Sequence, residues 1–131
     1  MNNKVSITIL TTILFTFSFY NMSAQILDKN VLLKKWDLDT YKIGAKKYPP
    51  SKKEKNDYIF FKKDMTFISM SEGKKESGVW MLNTNGAYIM MTNDKRETVK
   101  AHIATLTPKD LVLYFDIDEI REVEVHYSSN L

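Results

Sequence analysis

Between Asp57 and Thr92, apolar residues recur at every second position in short runs, and the runs are separated by glycine, asparagine, aspartate and lysine. A period of two is the signature of a strand with one buried face. It places Ile59, Phe61, Phe67, Trp80, Leu82, Ile89 and Met91 on a common side of successive strands. This stretch commits the chain to a β-meander with a shared interior, and the flanking segments extend it.

On the N-terminal side, Trp36, Leu38 and Thr40 alternate with Asp37, Asp39 and Tyr41, and Gly44 ends the run. On the C-terminal side, Val99, Ala101 and Ile103 alternate with Lys100 and His102, residues 111–115 form a further run, and Val123, Val125 and Tyr127 alternate with Glu122, Glu124 and His126. Eight strands are expected, over 36–43, 58–62, 66–70, 79–82, 87–92, 97–106, 111–115 and 120–127. Residues 71–78 read as a charged turn, and Asn83-Thr84-Asn85-Gly86 as a hairpin turn whose Asn-Gly tolerates positive φ. Residues 45–56, with five lysines and the pair Pro49-Pro50, form the longest loop, because proline offers no N–H to a ladder. Ahead of the first strand, Leu27, Val31 and Leu32 stand at helical spacing behind Asp28, a candidate N-cap.

The fold class expected is all-β: an eight-stranded up-and-down antiparallel barrel with a short N-terminal helix. Closure removes the exposed edges of such a sheet, and eight strands leave an interior that side chains fill or that one small ligand shares. An open sheet or a sandwich gives the same strand pattern.

Residues 1–24 carry Lys4 near the start, an apolar centre from Val5 to Tyr20, and the small residues Ser23 and Ala24. They read as a cleaved secretory signal peptide, with the domain proper at 25–131. A membrane anchor is the rival, but the apolar centre is short for a span and interrupted by hydroxyls. The chain has no cysteine, so no disulfide framework, thiolate nucleophile or lipid-bearing cysteine is available. A periplasmic or secreted location and no integral span after cleavage are expected. Beyond the signal, residues 25–109 hold 17 basic and 10 acidic side chains, whereas 110–131 hold six acids against Arg121.

A short helix leading into Trp36, the run Phe61-Lys62-Lys63-Asp64-Met65-Thr66-Phe67, the step Gly78-Val79-Trp80, and residues 103–106 followed by Leu111-Val112-Leu113 together resemble the small secreted bacterial lipocalin-like domains. The likeness runs from Leu32 to about Tyr127. It implies an antiparallel barrel with a helical turn against one end, and a capacity to hold an apolar small molecule. The resemblance departs at Lys34 and Met65, where that family has glycine. A left-handed Met65 would cost about 1 kcal/mol or more of backbone strain.

The candidate ligand-binding interior comprises Trp36, Phe61, Phe67, Ser69, Trp80, Leu82, Ile89, Met91 and Phe115. Its aromatics either line a pocket or fill it, and Ser69 is the candidate polar contact. Loops after alternate strands share one end and bring Lys46, Lys47, Lys74, Lys75 and Arg96 to the expected mouth. An apolar interior under a cationic rim suits an amphipathic ligand with an anionic head, although loop lysines also serve simply as a solvated surface.

A second apolar phase sets Tyr58, Phe60, Met70, Met81, Tyr88 and Met90 on the opposite face of four consecutive strands, joined by Ile68 and Val79. It reads as an interaction face, with self-association to a homo-oligomer set against cover by the chain's own terminal segment. His102 and His126 do not converge on a metal, the acidic residues 116–119 lack the spacing of a calcium loop, and no cofactor is expected. No nucleophile elbow or phosphate cradle occurs, so catalysis is not expected, and the scattered lysines lack the interleaved aromatics of a nucleic-acid platform. The leading expectation is ligand binding in the barrel. The alternative is a protein-interaction or envelope module that uses the outer face and has no cavity.

Overall fold

The computed structural model describes residues 27–130. The expected signal peptide over 1–24 lies outside these residues, as do the first two positions of the expected domain and Leu131. A helical turn, α1 (Lys29–Leu32), opens the described chain. Asp28 caps it, its Oδ1 accepting the Asn30 N–H at 2.9 Å.

The strands that follow are β1 (Lys35–Ile43), β2 (Lys46–Tyr48), β3 (Tyr58–Phe61), β4 (Thr66–Ser71), β5 (Lys74–Asn83), β6 (Tyr88–Asn93), β7 (Thr98–Leu106), β8 (Asp110–Phe115) and β9 (Glu124–Ser128). Every pairing is antiparallel, and β1 pairs with both β3 and β9. That last ladder closes eight strands into a barrel and rules out the open sheet and the sandwich. β2 is an appendage to β1, with Ile43 opposite Lys46 and Tyr41 opposite Tyr48.

Four local expectations need correction. The last strand, expected over 120–127, begins only at Glu124, because residues 120–123 close a turn in which the Val123 N–H donates to Ile120 O at 3.0 Å. The long loop contains β2, because the two prolines follow its last residue and leave its short ladder intact. The charged turn shrinks to Glu72 and Gly73, both left-handed at φ 51° and 81°, so β5 begins at Lys74 and carries Glu76 and Gly78 in the phase of Trp80. In the β5–β6 hairpin the left-handed residue is Ala87 at φ 54°, while Gly86 accommodates the Tyr88 ring, which would lie 2.6 Å from an added Cβ.

Two bulges redirect side chains. Leu38 opposes Tyr127 and Thr40 opposes His126, so Asp39 is an extra residue in β1 and Tyr41 pairs with Val125. Beyond the bulge it is Tyr41, not Thr40, that turns inward, since one inserted residue reverses a period of two. A second shift, between Ile103 and Thr105, brings Leu106 opposite Leu111.

The half of the barrel nearest α1 is solid. Trp36, Phe61, Leu32, Ile89, Leu111 and Leu113 are fully buried there, with Trp80 beside them. Both indoles bury their rings without orphaning their N–H groups: Trp36 Nε1 donates to Leu32 O at 3.1 Å and Trp80 Nε1 to Lys62 O at 3.2 Å. Phe61 meets Trp80 edge-on at 5.1 Å between ring centroids. Next to this layer, Met65 is left-handed at φ 69°, the strain anticipated from its lack of glycine. Its backbone is tied down on both sides, Met65 N–H donating to Lys62 O at 3.1 Å and Trp80 N–H to Met65 O at 2.9 Å.

Candidate ligand-binding cavity

Followed away from α1, the inward residues of neighbouring strands shrink or turn polar. On β4 the series runs Phe67, Ser69, Ser71; on β5 it runs Trp80, Gly78, Glu76; on β6 it runs Ile89, Met91, Asn93. The large rings therefore end halfway along the barrel, and a cavity of about 460 Å³ remains. Leu38, Ile59, Phe67, Met91, Val99, Phe115 and Val125 supply its apolar walls, with Ser69, Tyr41 and Tyr127 among them. Its rim is formed by Glu54, Asp57, Ser71, Glu76, Asn93, Glu97 and Thr98, with Ile117 and Ile120 from the β8–β9 connection.

The rim is held by hydrogen bonds. Tyr41 donates its hydroxyl to Glu54 Oε2, while Glu54 Oε1 accepts the Ser51 N–H at 3.2 Å. The Tyr41 bond holds the Glu54 carboxyl below its ordinary pKa, and burial together with Glu54 pushes the Tyr41 phenol up. The Asn93 amide donates to Glu76 Oε1 at 3.2 Å and to Glu97 Oε1 at 2.9 Å, bridging a carboxylate of β5 and one from the turn before β7. Burial pushes the Tyr127 phenol up, with Tyr41 and Asp57 adding to the effect.

Asp57 is 9% exposed, and its Oδ1 accepts the Glu72 N–H at 2.9 Å. Burial, the largest influence, raises its pKa above the ordinary 3.8 despite that bond. The native state thus holds the Asp57 proton more tightly than the unfolded chain does, so this group favours folding progressively as pH falls through its native pKa. Asp57→Asn keeps the acceptor and removes the desolvated charge. The variant is expected to exceed the parent in urea midpoint at pH 7, with the gap closing toward pH 3; a gap that widens on acidification would refute this.

Of the residues assigned to the interior from sequence, Phe67, Ser69, Met91 and Phe115 line the cavity. Trp36, Phe61, Trp80, Leu82 and Ile89 do not; they belong to the half nearer α1, where the aromatic layer leaves no room. The open end is the one expected, but none of Lys46, Lys47, Lys74, Lys75 or Arg96 lines the cavity. Lys46 and Lys47 lie on β2 beside the barrel, and Lys74 stands at the tip of the β4–β5 hairpin. Glu76, two residues further along the same phase, takes the rim position instead. Lys53 and Lys55, together with Lys35 from the start of β1, border a second cleft of about 630 Å³ outside β1 and β3, which shares Asp57, Tyr58 and Met70 with the cavity lining.

Sequence reasoning missed Tyr41, Glu54, Asp57, Glu76, Asn93, Glu97 and Tyr127. For Glu76 the signal was present, since it continues the period of Trp80 and Gly78. Tyr41 was concealed by the bulge at Asp39.

The outer apolar face exists, and a lysine ammonium lies over each of its aromatic members. Lys35 Nζ lies 4.4 Å from the Tyr58 ring centroid, Lys100 Nζ 4.5 Å from that of Tyr88, and Lys62 Nζ 5.9 Å from that of Phe60. Met70 and Met90 are half-buried, Tyr58 and Met70 also border the cavity, and Phe60, Val79 and Met81 are exposed.

Among the described residues, no group of three or more His, Cys, Asp or Glu could hold a metal ion, and no helix is long and apolar enough to cross a membrane. No curated protein and no solved structure matches the chain. The family model of the lipocalin-like domain matches residues 32–113, from the last residue of α1 into β8. A closed antiparallel barrel with a helical turn at its solid end is the architecture that such a match implies, and the chain belongs to the family of lipocalin-like domains.

Proposed function

We propose that the barrel binds a small molecule with an apolar body, without catalysing a reaction on it. The observation that carries this reading is the cavity itself: about 460 Å³, closed at one end by the aromatic layer and walled by apolar side chains with a few polar groups at its entrance. Pockets of roughly 300–1,000 Å³ with this division of lining suit a single small ligand. Burial of the ligand's apolar surface supplies the affinity, at about 25 cal/mol per Å² before the cost of immobilisation. We propose further that the chain is exported, on the pattern of residues 1–24; a cellular protein that retains those residues would count against it.

The test uses the neutral fluorophore N-phenyl-1-naphthylamine. Saturable binding is expected, with enhanced emission. Val99 opposes Met91 and lines the cavity, so Val99→Trp places an indole in the empty space and is expected to weaken binding by more than about tenfold, a loss of over about 1.4 kcal/mol. Circular dichroism should stay that of a β-barrel. Undiminished binding in the folded variant would move the ligand out of the cavity and defeat the reading.

A further inference from the structure

We propose that the head group this cavity receives is a cationic amine, drawn by Glu54, Asp57, Glu76 and Glu97 at the entrance and met inside by the hydroxyl of Tyr127. The inference rests on the ligand-binding reading above and specifies the chemistry of the ligand.

The charge of the lining carries the first part. The chain as a whole has a formal net charge of +3, yet the cavity lining contains four carboxylates and no lysine or arginine. None of the four takes part in an ion pair among the described residues. Their hydrogen bonds come from the Tyr41 hydroxyl, the Ser51 and Glu72 N–H groups and the Asn93 amide. All of those donors are neutral, so they orient the carboxylates without neutralising them. Like charges around the mouth of a low-dielectric concavity raise the local concentration of cations and repel anions.

Tyr127 supplies an independent observation. It is 8% exposed and lines the cavity, it stands near enough to Tyr41 and Asp57 to interact with both, and no side-chain hydrogen bond ties down its hydroxyl among the described residues. Its ring is buried but its hydroxyl is not sealed off, so a head group that enters the cavity can meet it, and a phenol oxygen accepts as readily as it donates. An ammonium offers three N–H donors, enough for Tyr127 Oη and for carboxylates, while its apolar body lies against Phe67, Met91 and Phe115. A carboxylate head would meet four like charges. An alcohol could satisfy Tyr127 but would leave every charge uncompensated.

Decylamine, 1-decanol and decanoate, matched in chain length, are to be titrated as displacers of N-phenyl-1-naphthylamine, with calorimetry of decylamine alongside. Decylamine is expected to displace at a concentration at least about tenfold below that of decanol, with decanoate weakest. Glu76→Gln combined with Glu97→Gln, both at exposed rim positions, and added salt should each shrink the amine's advantage. Tyr127→Phe should weaken decylamine several-fold. Decanol or decanoate matching decylamine, or an advantage unmoved by the double substitution, overturns the amine assignment and leaves the cavity reading intact. Absence of both fluorophore binding and decylamine heat overturns the two together.

Discussion

Trp36→Ala is expected to be the most damaging single truncation in the barrel, lowering stability by about 4 kcal/mol. Trp36 is fully buried, opposes Ile59 across the β1–β3 ladder, and its Nε1–H bonds to Leu32 O. The substitution therefore empties the middle of the aromatic layer and unties α1 from the closed end. A loss of that size is a large share of the roughly 5–15 kcal/mol of a whole domain, and no disulfide offsets it. Urea unfolding followed by far-ultraviolet circular dichroism measures the change. Trp36→Phe, which keeps most of the ring area and loses the hydrogen bond, should cost about half as much. Equal losses for both variants would mean that the indole hydrogen bond, rather than packing, holds the floor of the barrel.

Gly78→Ala is expected to destabilise the barrel by about 3 kcal/mol, far more than one methyl group costs on a surface strand. An added Cβ would lie 2.0 Å from the Thr92 carbonyl oxygen and 2.7 Å from Asn93 Cα. Those are backbone atoms of β6, so the clash cannot be relieved by a rotamer change. The strands must separate where Asn93 bridges Glu76 and Glu97, and the rim of the cavity is disturbed with them. The expected signature is a fall in urea midpoint together with weaker fluorophore binding, whereas Val79→Ala, one residue along on the exposed face, should change neither appreciably. A stable Gly78→Ala variant would show that β5 and β6 tolerate a shifted register here.

Much of the core was legible residue by residue. Ile59, Phe61, Phe67, Trp80, Ile89 and Met91, placed on one face by their spacing, are all buried in the barrel. The polar half of the cavity was not. Glu54 comes from the segment between β2 and β3, whose path no periodicity describes, whereas Asp57, Glu76 and Glu97 continue the inward periods of Ile59, Trp80 and Val99 but lie in charged stretches that read as solvated turns. The count of lysines near the open end suggested a cationic mouth, but composition does not say which way a side chain points.

By itself the order of residues determined the inward phase and hence the antiparallel sheet, because alternation is a property of the extended backbone and needs no partner to express it. Tertiary structure decided the rest: closure of β1 on β9, the extra residue at Asp39 that turns Tyr41 toward the cavity, and the choice of carboxylates over lysines at its rim. A bulge and a register exist only between two paired strands, so neither can be read from one of them alone.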